Sequence, residues 1–217
     1  MTEAWPWLAL FGLGAFHGIN PAMGWLFAVA LGLQERRRGA VLAALPPIAL
    51  GHALSIAAVL ALLYAARESL PAWALKAMAA AVLLGFGLYR LVRSRHPGWV
   101  GMRVGFRDLT AWSFLMASAH GAGLMLVPIL LAGEHAGHTG GHAGHSLPPD
   151  QATAFATPLA WLGAVAVHTL GHLLVAAALA LLVYEKLGLS LLRSAWFNLD
   201  LVWGIALVLC GVLILVV

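Results

Sequence analysis

The stretch Phe16-His17-Gly18-Ile19-Asn20-Pro21-Ala22-Met23-Gly24 lies inside an apolar run that covers roughly residues 8–33. It sets an imidazole, a carboxamide and a thioether close together in a segment with no other polar character. Pro21 has no backbone N–H and weakens a helix just beside them. If the run crosses a bilayer, freed carbonyls and polar side chains persist there only where they face protein or a water-filled path. Composition answers the condition. The chain has 217 residues, 62% hydrophobic and 9% charged, with a mean hydropathy of +0.92. A soluble domain of this size cannot hide that much apolar surface, so the chain reads as an all-α integral membrane protein.

Outward from this stretch, apolar runs cover roughly 8–33, 41–64, 72–92, 111–132, 156–184 and 199–217. About twenty residues cross the hydrocarbon core, so the expectation is six transmembrane helices in a single membrane domain, 1–217. The runs lack the strict alternation of a membrane β-barrel. The formal charge is 12 − 8 = +4, and its distribution is topological. Arg36, Arg37 and Arg38 fall between the first two runs. Arg90, Arg93, Arg95, Arg103 and Arg107 fall between the third and fourth, and Lys186 and Arg193 between the last two. That is ten of the 12 basic residues, with Arg67 and Lys76 on the other side. The bias places those three loops in the cytoplasm and both termini outside, in the inner (plasma) membrane. The same argument leaves no footprint for nucleic acid. Cys210 is the one cysteine, which excludes an internal disulfide or dithiol relay. The opening Met1-Thr2-Glu3-Ala4-Trp5 has no basic n-region, so no removable signal peptide is expected.

The external loop 133–157 carries His135, His138, His142 and His145 separated by small residues, and Pro148-Pro149 close the tract. With no core to fold around, it reads as external metal capture or sensing, or as a plain low-complexity linker. An internal echo accompanies it. Ala15-Phe16-His17-Gly18 is matched by Ser118-Ala119-His120-Gly121, and Leu50-Gly51-His52 by Leu170-Gly171-His172. Two three-helix copies, 7–95 and 108–217, would insert in opposite directions because three is odd. Inverted repeats with polar groups near the midplane are a recurring transporter plan.

His17, His52, His120, His168 and His172 fall inside apolar runs. One membrane histidine is ordinarily a hydrogen-bonded packing residue. Five on four helices point instead to ligation of Ni, Co, Zn or Cu, or to a proton relay. His168 and His172 are four apart and share a helix face. Thr169 stands where the general base of a His-Glu-x-x-His zinc protease belongs, which argues against an intramembrane protease. Asn20 and Met23 join the histidines as pathway candidates, and Met23 and Met125 each follow a His-Gly pair, although packing explains either alone. Asp200 lies near the cytoplasmic end of the last run and reads as interfacial. Gly18, Gly24, Gly51, Gly121, Gly123, Gly163 and Gly171 are expected to allow close helix contact. Pro46-Pro47 and Pro128 are expected to reshape the second and fourth helices.

These motifs resemble the nickel/cobalt transporter family and its relatives in the lysine-exporter superfamily. The permeases of that family carry His-Ala-x-Asp-Ala-Asp-His on the first helix and Leu-Gly-His-Ser on the next. Here the corresponding residues are His17-Gly18-Ile19-Asn20-Pro21-Ala22-Met23 and Leu50-Gly51-His52-Ala53. The first histidine and Leu-Gly-His are kept, while Asn20, Ala22 and Met23 replace two acids and a histidine. The resemblance implies a six-helix, two-times-three small-solute or metal transporter. Nickel specificity does not carry over with the acidic ligands gone. Asn20-Pro21 is also similar to the amino-acid exporters of the superfamily.

The expected function is transport of a transition-metal cation of the Ni/Co/Zn/Cu class through a midplane histidine site, without enzymatic activity or a tightly bound cofactor. Two alternatives stand. One is an exporter of an amino acid or other small organic solute with histidine proton relay. The other is a bis-histidine haem electron carrier, for which the small residues Gly51, Ala53, Gly121 and Gly171 would make room. The partners expected are the lipid bilayer and a small ion or solute, with homo-oligomerisation left open.

Overall fold

The first run does not form one helix. In the computed structural model, which describes residues 4–67, 69–92, 105–130, 157–187 and 199–216, α1 (Trp5–Ile19) stops at Asn20. A 3-10 turn, Pro21–Met23, follows, and α2 (Trp25–Glu35) starts beyond Gly24. Local chemistry accounts for the break. Pro21 cannot donate to a preceding carbonyl. Asn20, at φ −70° and ψ 119°, turns its Oδ1 onto Ala22 N at 3.0 Å and caps the turn. Gly24 takes φ +116°, which a side chain would oppose, and so lets the chain re-enter a helix. Trp25 Nε1 reaches back across the gap and donates to Ile19 O at 3.2 Å.

α3 (Arg38–Arg67) follows directly, then α4 (Ala72–Val92), α5 (Phe106–Ala119), α6 (Ala122–Met125), α7 (Pro158–Leu182) and α8 (Leu199–Val216). Asp108 starts α5 by accepting from Gly105 N at 2.9 Å. Thr157 starts α7 by accepting from Ala160 N at 3.2 Å, and Val183–Leu187 extends α7 as a π-helical turn. All described elements are helical. Two segments, Arg38–Ala66 and Pro158–Lys186, are long and apolar enough to cross a membrane. The bent pair Phe106–Ala119 and Ala122–Leu130 makes a third if it is one span. That bend, 49°, departs from the sequence reading. It sits at His120-Gly121, where Gly121 takes φ +67°, and not at Pro128. α3 continues helical through Pro46-Pro47.

Glycines decide which helices touch. Gly14 and Gly18 of α1 lie on the main chain of His168 and His172, and Gly171 of α7 lies on that of Phe11 and Ala15, so α1 and α7 run parallel. Gly51 of α3 lies on the main chain of Thr110 and Phe114, and Ser55 meets Ser118 at 2.8 Å, so α3 and α5 also run parallel. α4 and α8 run antiparallel through Gly87 on Leu207 and Val208, Gly204 on Leu91 and Gly211 on Leu84. Removing the Cβ lets two backbones approach more closely than any larger residue allows.

The apolar core falls into layers. One contains Val29, Val41, Ala44, Ile48, Ala176 and Ala180. A second contains Leu10, Ile56, Leu60, Ala164 and Val165. Along α3 the gap between them is the turn around His52, and along α7 it is the turn from His168 to His172. The polar residues therefore occupy a middle layer with apolar packing on either side.

Candidate functional site

Four of the candidate histidines meet in that middle layer. His17 comes from the last turn of α1, His52 from the centre of α3, and His168 and His172 from successive turns of α7. All four are 0% exposed. His52 is the hub: its ring centroid lies 5.5 Å from His17, 5.4 Å from His168 and 4.0 Å from His172. His17 also meets His168 edge to face at 4.8 Å. His52 and His172 are stacked with 8° between their planes.

Residues adjacent to the ligand candidates in sequence set how closely their helices pack: Gly18 and Gly171 bring α1 against α7, and Gly51 brings α3 against α5. Gly18 follows His17 and rests on His172 O, while Gly51 precedes His52 and rests on Thr110 O. Gly171 precedes His172 and rests on Phe11 O. A larger residue at any of the three would move a histidine.

Hydrogen bonding separates the rings. His17 Nδ1–H donates to Leu13 O at 2.8 Å, which directs Nε2 away from its own helix. The ring nitrogens of His52, His168 and His172 have no hydrogen-bond partner among the described residues. Leu10 O and Met23 O face His168 and His172 but miss hydrogen-bond geometry. Asn20 is 3% exposed, and its Nδ2 is likewise without a partner. Buried polar groups are normally paired, and each exception calls for a physical reason. The histidine and Asn20 atoms share one layer, where a bound polar species would satisfy them together; Trp112 Nε1, beside Phe27, and Thr169 Oγ1 are also without a partner among the described residues.

The charge of the layer is equally informative. Among the described residues the buried polar side chains are five histidines, Asn20, Ser55 and Ser113. None is acidic. Asp108 is used in its own helix cap, and Glu185 lies outside the core, 3.3 Å from Arg38.

The remaining candidates divide. His120 is buried and donates from Nδ1 to Met116 O at 2.7 Å, the same i−4 arrangement that His17 makes with Leu13. Met23 and Met125 are buried in a shared apolar cluster that packs α4 against α8, with Cys210 at its edge. His135, His138, His142 and His145 lie outside the described residues. Two groups were not picked out by sequence reasoning. Ser113 Oγ donates to Ile48 O at 2.6 Å, and the Ser55–Ser118 bond joins α3 to α5 one turn from His52 and beside His120. Ser118 belongs to the quoted Ser-Ala-His-Gly echo, and that was the available signal.

Among the described residues no three His, Cys, Asp or Glu side chains converge as ligands on one point. Stacking is the cause at His52 and His172, because parallel rings aim their in-plane lone pairs side by side. No family model, curated protein or solved structure matches the chain.

Proposed function

We propose that this chain is a membrane transporter whose substrate passes through the buried histidine layer, with a transition-metal cation as the leading substrate class. The observation that carries the reading is the set of unpartnered ring nitrogens on His52, His168 and His172 at 0% exposure, midway along two helices long enough to span a bilayer. A buried layer of this kind costs stability and is retained where ions or solutes cross. The break at Asn20–Gly24 and the bend at Gly121 support the same reading, since transporters build midplane sites from interrupted helices.

The fold under this proposal is six spans in two inverted repeats: α1–α2, α3 and α4, then α5–α6, α7 and α8. Packing supports it. Exchange of the two copies turns the parallel α1–α7 pair into the parallel α5–α3 pair and returns the antiparallel α4–α8 pair to itself. It also carries Gly171 on Phe11 to Gly51 on Phe114, each phenylalanine six residues before the histidine of its His-Gly pair. Opposed movement of the two copies would open the middle layer first through one apolar layer and then through the other. The basic loops put the termini and loop 133–157 outside.

Flux into proteoliposomes tests the proposal. The purified protein should move at least one of Ni, Co, Zn or Cu, and His17→Ala and His52→Ala should abolish that movement. Wild-type flux in both variants would refute it. Export of an organic solute with proton relay is the second reading, favoured by the lack of a convergent ligand set among the described residues; a counterflow screen with amino acids separates the two. A bis-imidazole haem has less support, because rings 4.0 Å apart cannot bracket a macrocycle.

A further inference from the structure

We infer that the histidine layer is built for a monovalent, soft d10 cation, Cu(I) or its surrogate Ag(I), held by two imidazoles at a time with His52 in each pair; this rests on the metal-transport reading above. Two independent observations lead here. The first is charge. The cost of moving an ion out of water rises with the square of its charge, so a divalent cation costs about four times as much to bury as a monovalent one of similar size. Metal sites that hold divalent ions offset this with ligand carboxylates or with carboxylates behind the ligating histidines. Among the described residues there is none to do so. The buried polar groups of the described residues are all neutral or imidazole, and the ring partner of His17 is a main-chain carbonyl. The whole sequence has eight Asp and Glu. Within α1, α3 and α7, the three helices that supply the layer, there is none.

The second observation is coordination number. Divalent zinc needs four ligands in a closed site and three in an open one. Among the described residues no three candidate ligands converge. A d10 monovalent ion is satisfied by two. His52 has ring contacts at 4.0 to 5.5 Å with His17, His168 and His172, and both of its own nitrogens are without a partner. Pairing with an ion between two nitrogens takes the His52 ring out of its stack with His172, and from there it can join one neighbour and then another. The ion passes from pair to pair without a full coordination shell being assembled or dismantled at any step. Weak, successive binding of this kind suits passage.

The test compares valence on the intact protein. Proteoliposomes are loaded with Ag(I), with Cu(I) kept reduced by ascorbate, or with Ni(II), Co(II) or Zn(II), and initial flux is measured by elemental analysis. Ag(I) and Cu(I) are expected to move faster than each divalent ion by roughly tenfold or more. Equilibrium dialysis with Ag(I) should show one more ion per chain in wild type than in His52→Leu, a variant that leaves the external histidine loop in place. Divalent flux equal to or above that of Ag(I) overturns the valence assignment and leaves metal transport standing. No flux of any of the five ions overturns both. Should His52→Leu fail to fold, the flux comparison decides the matter, since it uses wild-type protein alone.

Discussion

Replacing Gly18 by alanine should unseat the histidine layer and destabilise the fold, although alanine is the better helix former. A Cβ at Gly18 would lie 2.6 Å from His172 O, 2.9 Å from Val175 Cβ and 3.1 Å from Ala176 N. Ordinary contact begins at 3.4 Å, so the nearest atom must retreat by 3.4 − 2.6 = 0.8 Å. That atom is backbone and cannot rotate away; α1 must part from α7 where His17 faces the histidines of α7. Overpacking of this kind costs about 1–3 kcal/mol, against which alanine regains roughly 0.5–1 kcal/mol of helix propensity. The net loss is about 0.5–2 kcal/mol. For a chain of this size each kcal/mol moves the midpoint by about 2–4 °C, so a fall of about 1–8 °C is expected. Gly12→Ala is the control in the same helix: its added Cβ has nothing within 4 Å, and its midpoint should hold or rise by a few degrees, roughly the propensity gain alone. Tryptophan fluorescence on heating, in one detergent at one scan rate, compares the three proteins. Metal flux should fall in Gly18→Ala and persist in Gly12→Ala. Equal midpoints for the two variants would refute the claim that backbone contact at Gly18 sets the spacing of α1 and α7.

Gly24→Ala places a side chain at φ +116°, outside the left-handed basin that L-residues tolerate, and 2.8 Å from Ile48 Cγ2. A loss of about 1–3 kcal/mol is expected by thermal or chemical unfolding, and a midpoint equal to wild type would mean that the Asn20–Gly24 break is not held as described. Ser113→Ala removes a buried bond to Ile48 O at 2.6 Å and should cost about 0.5–1.5 kcal/mol in the same assay. Arg38→Gln breaks a 3.3 Å pair with Glu185 whose side chains are 60% and 40% exposed. It should change stability by less than about 1 kcal/mol and leave flux intact, and a larger loss would show that this pair fastens the end of α7 to α3.

Much of this organisation was legible in the chain because it rests on local chemistry. The run 72–92 coincides with α4, and Asn20-Pro21 announced the break after α1, since a missing N–H acts on its own turn. Pro128 misled for a related reason. It falls within the helical turn after α6, whereas the bend required a left-handed residue, and Gly121 supplied it at φ +67°. In sequence Gly121 reads as a packing glycine, because sequence does not distinguish a glycine kept for its conformation from one kept for its size. The same ambiguity hid Gly24, while Gly51, Gly123 and Gly171 do sit at helix contacts.

The site divides in the same way. That His168 and His172 share a face follows from helical period, and that His17 joins them follows from Gly18 and Gly171. The seam glycines and the histidines are neighbours in sequence because they solve one geometric problem. Backbones of α1 and α7 approach more closely than ordinary side chains permit, with glycines at the height of His17, His168 and His172, whereas Gly51 seats α3 on α5. His-Gly at 17–18 and Gly-His at 171–172 are therefore single units of placement. His168 is the exception that confirms the logic from the other side. It has no glycine next to it, and the glycine at its height, Gly14, belongs to the facing helix. In the first copy of the proposed repeat its counterpart is Ile48, so α7 brings two imidazoles to the layer where α3 brings one, and each copy supplies two of the four. What sequence could not give is the turn of each ring about its own bonds. That turn separates a convergent ligand set from the stacked pair His52 and His172, and it is what moves the expected substrate from a divalent ion toward one that two nitrogens can hold.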